Sequence, residues 1–153
     1  MKKILIGFFL VIGLFLLFYL LLNKPIGRWI CQQGNWTKQG DPEYPHPLIS
    51  CNGRKALPKN EADCLTQGGV WKKIGPDPFP SCNRKTIDRG NLCRDNSECE
   101  GNCQITLTRE ELRQGMSGKL NKTVRFGQCS LWVIELGCQG IMKNGKVQVI
   151  CLD

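Results

Sequence analysis

From residue 4 to residue 22 the chain is apolar without a break. The run ILIGFFLVIGLFLLFYLLL, Ile4–Leu22, has no charge and no proline, and its only small residues are Gly7 and Gly13. A helix needs ~20 such residues to cross a bilayer core, so the pattern predicts a transmembrane helix over 4–22. Lys2 and Lys3 precede the run, as they would a signal peptide. It ends Leu22-Asn23-Lys24-Pro25 with no small-residue cleavage site, which predicts an uncleaved signal anchor. Tyr19 and Trp29 are candidate interface aromatics.

Beyond the anchor the apolar positions come in short pieces. Asn60 can cap a short helix that Gly68 ends. Val70–Ile74 alternates as a strand. Thr108-Arg109-Glu110-Glu111 is a capping box opening a helix over Arg109–Gln114, with Gly115 as its stop. Met116–Thr123 is polar and reads as a loop, and Val124–Gly127 and Leu131–Leu136 read as strands.

The sharpest local signal is Lys143-Asn144-Gly145-Lys146. Asn-Gly favours a two-residue type I′ hairpin turn. Lys143 then faces Lys146, and stepping back residue for residue brings Cys138 opposite Cys151 on a non-hydrogen-bonded pair. Cα atoms there lie ~4.5 Å apart, within bridging distance for a disulfide. This register also gathers Cys138, Gly140, Met142, Val147, Val149 and Cys151 on one apolar face. A slip by one residue would turn lysines inward. A Cys138–Cys151 disulfide is the expectation.

Two stretches next to the anchor are copies of one unit. Cys31–Asn52 and Cys64–Asn83 each run Cys, Gln-Gly, Trp (Trp36 and Trp71), Lys, Gly, a Pro/Asp cluster, aromatic-Pro (Tyr44-Pro45 and Phe79-Pro80) and Ser-Cys-Asn. Matching units predict matching closures, Cys31 with Cys51 and Cys64 with Cys82. Each unit has little besides its Trp to bury, so it needs the staple, and a Trp lying over a disulfide is the expected core. Trp36 and Trp71 as exposed stacking platforms for sugars is the functional alternative.

Ten cysteines, an even number, can pair completely. All lie beyond the anchor, which argues for an oxidising compartment on that side. Lys24 and Arg28 balance Lys2 and Lys3, so the cysteines decide orientation: the N-terminus is expected in the cytoplasm and the rest outside the cell membrane. The net charge is +8, concentrated in the first half of the exported part. That could attract an anionic envelope polymer, though it also serves plain solubility. The expected architecture is a transmembrane helix plus a small disulfide-rich α+β ectodomain with short strands, hairpins and few short helices. Its parts would be the anchor (1–23), a first Cys-Trp unit (24–55), a second (56–86) and a C-terminal cysteine-rich domain (87–153).

From Cys64 onward there are eight cysteines: Cys64, Cys82, Cys93, Cys99, Cys103, Cys129, Cys138 and Cys151. With Asn91–Cys103 (NLCRDNSECEGNC), Gly127-Gln128-Cys129, Gly137-Cys138 and the ending Cys151-Leu152-Asp153, residues 64–153 are similar to the eight-cysteine-cluster domain of exported bacterial proteins. The resemblance implies export and a disulfide-rich domain and carries no activity. The pairing of Cys93, Cys99, Cys103 and Cys129 stays open among three connectivities.

No two cysteines are spaced C-x-x-C, so the thioredoxin-like pair and the usual zinc knuckles are absent. Arg94–Glu100, RDNSECE, could offer Asp95, Asn96, Glu98 and Glu100 to Ca²⁺ but lacks EF-hand spacing, and a solvated turn is the plainer expectation. His46, the only histidine, sits in a Pro-locked loop with no evident nucleophile. No enzymatic activity, cofactor, metal or nucleic-acid partner is expected. What remains is a membrane-tethered binding or structural module, held in the lipid bilayer by residues 4–22, for an envelope polymer or a surface protein. The alternative is an inhibitor of an exported protease, presenting Arg54 and Lys55 on a rigid loop, Gly53–Asn60.

Overall fold

The structure is a computed structural model that describes residues 12–19, 27–51 and 56–152. A helix, α1, covers 12–19, and its side chains are exposed. Most of the apolar run Ile4–Leu22 lies outside the described residues. Among the described residues no helix is long and apolar enough to cross a membrane.

The rest is built of small pieces. Strands β1 (Arg28–Gln32) and β2 (Asn35–Gln39) form one hairpin. Helix α2 (Glu61–Thr66) leads into a second hairpin, β3 (Val70–Lys73) with β4 (Pro80–Asn83). An antiparallel sheet of five strands follows in the order β5-β7-β6-β8-β9. Its strands are β5 (Leu92–Cys93), β6 (Cys103–Ile105), β7 (Gly127–Cys129), β8 (Gly137–Lys143) and β9 (Lys146–Leu152). A 3-10 turn, Asn96–Glu98, and helix α3 (Arg109–Met116) lie between its strands in the chain.

The ten cysteines form five disulfides, and none is free. Cys31–Cys51, Cys64–Cys82 and Cys138–Cys151 pair as the sequence predicts. The last joins strands in the expected register, Cys138 opposite Cys151, with Cα atoms 4.0 Å apart. Asn144 and Gly145 at φ +52° and +71° make the turn. The pairing left open resolves as Cys93–Cys103 and Cys99–Cys129, two interleaved loops. Those four cysteines, with Ile105 and Met142, are the core, and Leu107, Val124 and Val147 pack against it.

The two Cys-Trp units share a disulfide closure but not a fold. In the first, Gln33 and Gly34 both have positive φ and turn β1 back on β2, so Trp36 faces Cys31. In the second, two more residues separate Cys64 from its Trp. Cys64 lies on α2, capped by Asn60 and ended at Gly68, and Trp71 faces the other cysteine, Cys82. Each Trp lies across from its own disulfide yet is only half-buried.

Two expected strands are corrected. The strand near Val124–Gly127 runs over Gly127–Cys129 instead. Leu131–Leu136 is no strand. The Glu135 carboxylate accepts from the Leu131 and Trp132 amides and curls the segment. Asn83 then clamps it, donating to Ile134 O at 2.7 Å and accepting from Ile134 N at 3.0 Å.

The capping box of α3 forms, but Gly115 does not stop the helix, which continues to Met116. Gly115 is there for closeness: a Cβ on it would meet Val149 Cγ2 at 2.1 Å. Gly115→Ala is therefore expected to destabilise by about 1–3 kcal/mol despite alanine's better helix propensity. Urea unfolding measures it, and an unchanged or raised midpoint would show that α3 is not seated on β9.

Candidate functional site

Tyr44, in the proline-rich loop of the first unit, is the side chain that joins that unit to the five-stranded domain. It is buried, with its ring 5.5 Å from that of Phe126. Its hydroxyl donates to Glu98 Oε1 at 2.8 Å and accepts from the Trp29 amide at 3.2 Å. The Trp29 indole N–H donates to Tyr44 O, and Arg94 Nη1 donates to Gly27 O at 3.1 Å. An ion pair between Arg125 and Glu43 sits at the exposed edge of the seam. The 3-10 turn carrying Glu98 is fixed from the other side by the β8–β9 turn, whose Asn144 amide donates to Asp95 Oδ2.

Between these elements lies a cleft of about 270 Å³, lined among others by Arg28, Trp29, Trp36, Arg94, Asp95 and Ser97. Trp36 spends its indole N–H on Ile49 O. The cleft thus combines indole surface with two guanidinium groups and a carboxylate, a set that suits a polar, partly anionic ligand with flat faces.

The acidic segment Arg94–Glu100 is not the solvated turn expected of it. Glu98 and Glu100 are each only 3 % exposed. Glu98 accepts from the Arg94 amide as well as from Tyr44. Glu100 receives both terminal nitrogens of Arg84 at 2.5 and 3.1 Å, and the Ile87 amide at 2.9 Å. Asp95 caps the 3-10 turn, and Asn96 Oδ1 accepts from the Cys103 amide. In place of a Ca²⁺ cage, these groups satisfy backbone and guanidinium donors that burial would otherwise strand.

Asp88, 2 % exposed, joins them. Its Oδ2 accepts from the Glu100 amide at 2.8 Å, while Oδ1 is buried without a hydrogen-bond partner. Burial pushes the Asp88 carboxyl up, more than the Glu100 amide pulls it down. Burial likewise raises Glu98, against the pull of the Arg94 amide and the Tyr44 hydroxyl. Tyr44 itself is held far above the ordinary phenol range, mainly by burial and further by the Glu98 carboxylate.

Among the described residues two triads bring donor atoms within 4.8 Å: Cys93, Cys99 and Cys103, and Asp88 with Cys99 and Cys129. Every sulfur in them belongs to a disulfide, so none is a thiolate ligand. His46 rests its ring edge on Trp29, 4.7 Å between centroids, with Nδ1 2.6 Å from Pro47 O. Trp29, a candidate interface aromatic, is packed into the first unit. Arg54 and Lys55 of the inhibitor reading lie outside the described residues.

No protein-family model, curated protein or solved structure matches the chain. Sequence reasoning missed Tyr44, Arg84 and Asp88 as structural centres. The one local signal was Asp95-x-Ser97, the spacing by which an Asp side chain caps a turn.

A carboxylate with a raised folded pKa favours the fold while protonated. Its contribution is present at low pH and is lost as pH rises through the folded value. Asp88→Asn removes that dependence at one site. The variant is expected to gain stability relative to the parent as pH rises above the ordinary carboxylate range. Denaturant titrations at several pH values test this, and a stability difference that stays constant would mean that Asp88 does not titrate in that window.

Proposed function

We propose that the chain is a single-pass, membrane-tethered binding module, held in the bilayer by Ile4–Leu22, whose disulfide-stapled part faces an oxidising compartment. The observation that carries this reading is the complete pairing of ten cysteines, six of them buried. A reducing compartment would not sustain five such bonds as routine structure. The apolar run and the similarity of residues 64–153 to the eight-cysteine-cluster domain support the same reading.

The ligand surface is the cleft beside Tyr44, with Arg28 and Trp36 as its accessible contacts. An anionic envelope polymer bearing sugar rings fits its chemistry: charge-assisted hydrogen bonds to the guanidinium, and ring faces against the indole.

The expected outcome is that the full chain stays with membranes through alkaline extraction. Its cysteines should resist thiol-alkylating reagents until a reductant is added. Co-sedimentation with insoluble envelope polymer should be lost in Arg28→Ala. Release into the alkaline supernatant, or free thiols on the protein in its host cell, would contradict the tethered, exported reading. Unchanged sedimentation of the variant would remove the cleft as the ligand surface.

A further inference from the structure

The five-stranded sheet has one short edge and one long one. β5 at one side is a two-residue strand, whereas β9 at the other spans seven residues with no proline, no bulge in its register with β8, and Lys146 as its only charge. Protein sheets normally blunt such an edge.

The hairpin register fixes which groups face outward. Lys143 and Lys146 flank a two-residue turn and form a hydrogen-bonded pair, and pairing alternates from there. Residues 148, 150 and 152 therefore bond to β8. Val147, Val149 and Cys151 turn their amides and carbonyls away from it. On β8 the residues equivalent to these face β6, where Gly140 pairs with Ile105. On β9 no other element takes them among the described residues. Helix α3 does not cover this edge through its Gly115 contact, which is with the Val149 side chain on the sheet face.

We propose that this edge joins a second copy of the chain, β9 pairing antiparallel with β9 about a two-fold axis at Val149. The outward residues are spaced symmetrically about that position. Val149 meets the partner's Val149, and Val147 meets the partner's Cys151, each facing pair exchanging two hydrogen bonds. Any slip by two residues leaves an outward residue on each strand without a partner.

The side chains agree with this pairing. Lys146 falls beside the partner's Leu152 and Gln148 beside the partner's Ile150, so no like charges face one another. A two-fold axis makes the patch self-complementary, the commonest form of protein dimer. A foreign strand could add to the same edge, but nothing in the pattern would favour it over an identical one.

Leu152 is 42 % exposed and faces Gly137 on β8, so changing it spares the monomer. Leu152→Lys sets two lysines face to face twice per dimer and is expected to weaken association about tenfold. Leu152→Glu sets two opposite-charge pairs and should strengthen it.

The experiment uses the full chain in detergent, with light scattering for mass and a photo-cross-linker at position 148. The expected result is a concentration-dependent dimer, a cross-linked band at twice the chain mass, and opposite shifts for the two Leu152 variants. A single-chain mass up to about 100 µM, a cross-link only to some other protein, or a dimer indifferent to both Leu152 variants would overturn it.

Discussion

The fold depends on two interleaved covalent loops. Cys99 lies within the Cys93–Cys103 loop and pairs beyond it with Cys129, and strands β5, β6 and β7 meet over these bonds. Of the eleven buried apolar residues among those described, six are cysteines. Sulfur thus takes the place that Leu and Phe hold in a larger domain. A chain with so thin an apolar core needs such cross-links, each worth roughly 3 kcal/mol in the chain-entropy picture.

That thin core explains the buried charge. Short strands and long connections leave many amides without a sheet partner. Asp88, Glu98 and Glu100 each accept a backbone N–H, and Arg84 balances Glu100 by a bidentate pair. Ion pairs of this kind are weak sources of net stability, but removing one partner is costly. Arg84, Ile87 and Asp88 hold Glu100 just beyond the 3-10 turn, and Glu98 at the end of that turn is the group on which Tyr44 seats the first Cys-Trp unit beside the cleft.

What the sequence could show was whatever is encoded between neighbours in the chain. The Asn144-Gly145 turn carries its register with it, so Cys138–Cys151 follows from geometry. The Thr108 capping box and the Asn60 cap follow from local hydrogen bonding. The repeats pointed to their closures because duplicated units carry matching pairings, Cys31 with Cys51 and Cys64 with Cys82. Where partners are distant, the reading fails. Leu131–Leu136 has the composition of a strand, but Asn83 and Glu135 hold it otherwise. The acidic segment has the composition of a surface loop, but the cross-links draw it inward. The copied units diverge because two inserted residues move the Trp to the opposite cysteine, a consequence that identity matching does not reveal.

The pairing of the four central cysteines is the most direct test of this account, because the core, the buried carboxylates and the seat of Tyr44 all hang from it. Proteolysis of the unreduced chain under acid conditions, followed by mass spectrometry of the linked peptides, reads it without ambiguity. The account requires peptides joining Cys93 to Cys103 and Cys99 to Cys129. Peptides joining Cys93 to Cys99, or Cys93 to Cys129, would contradict it.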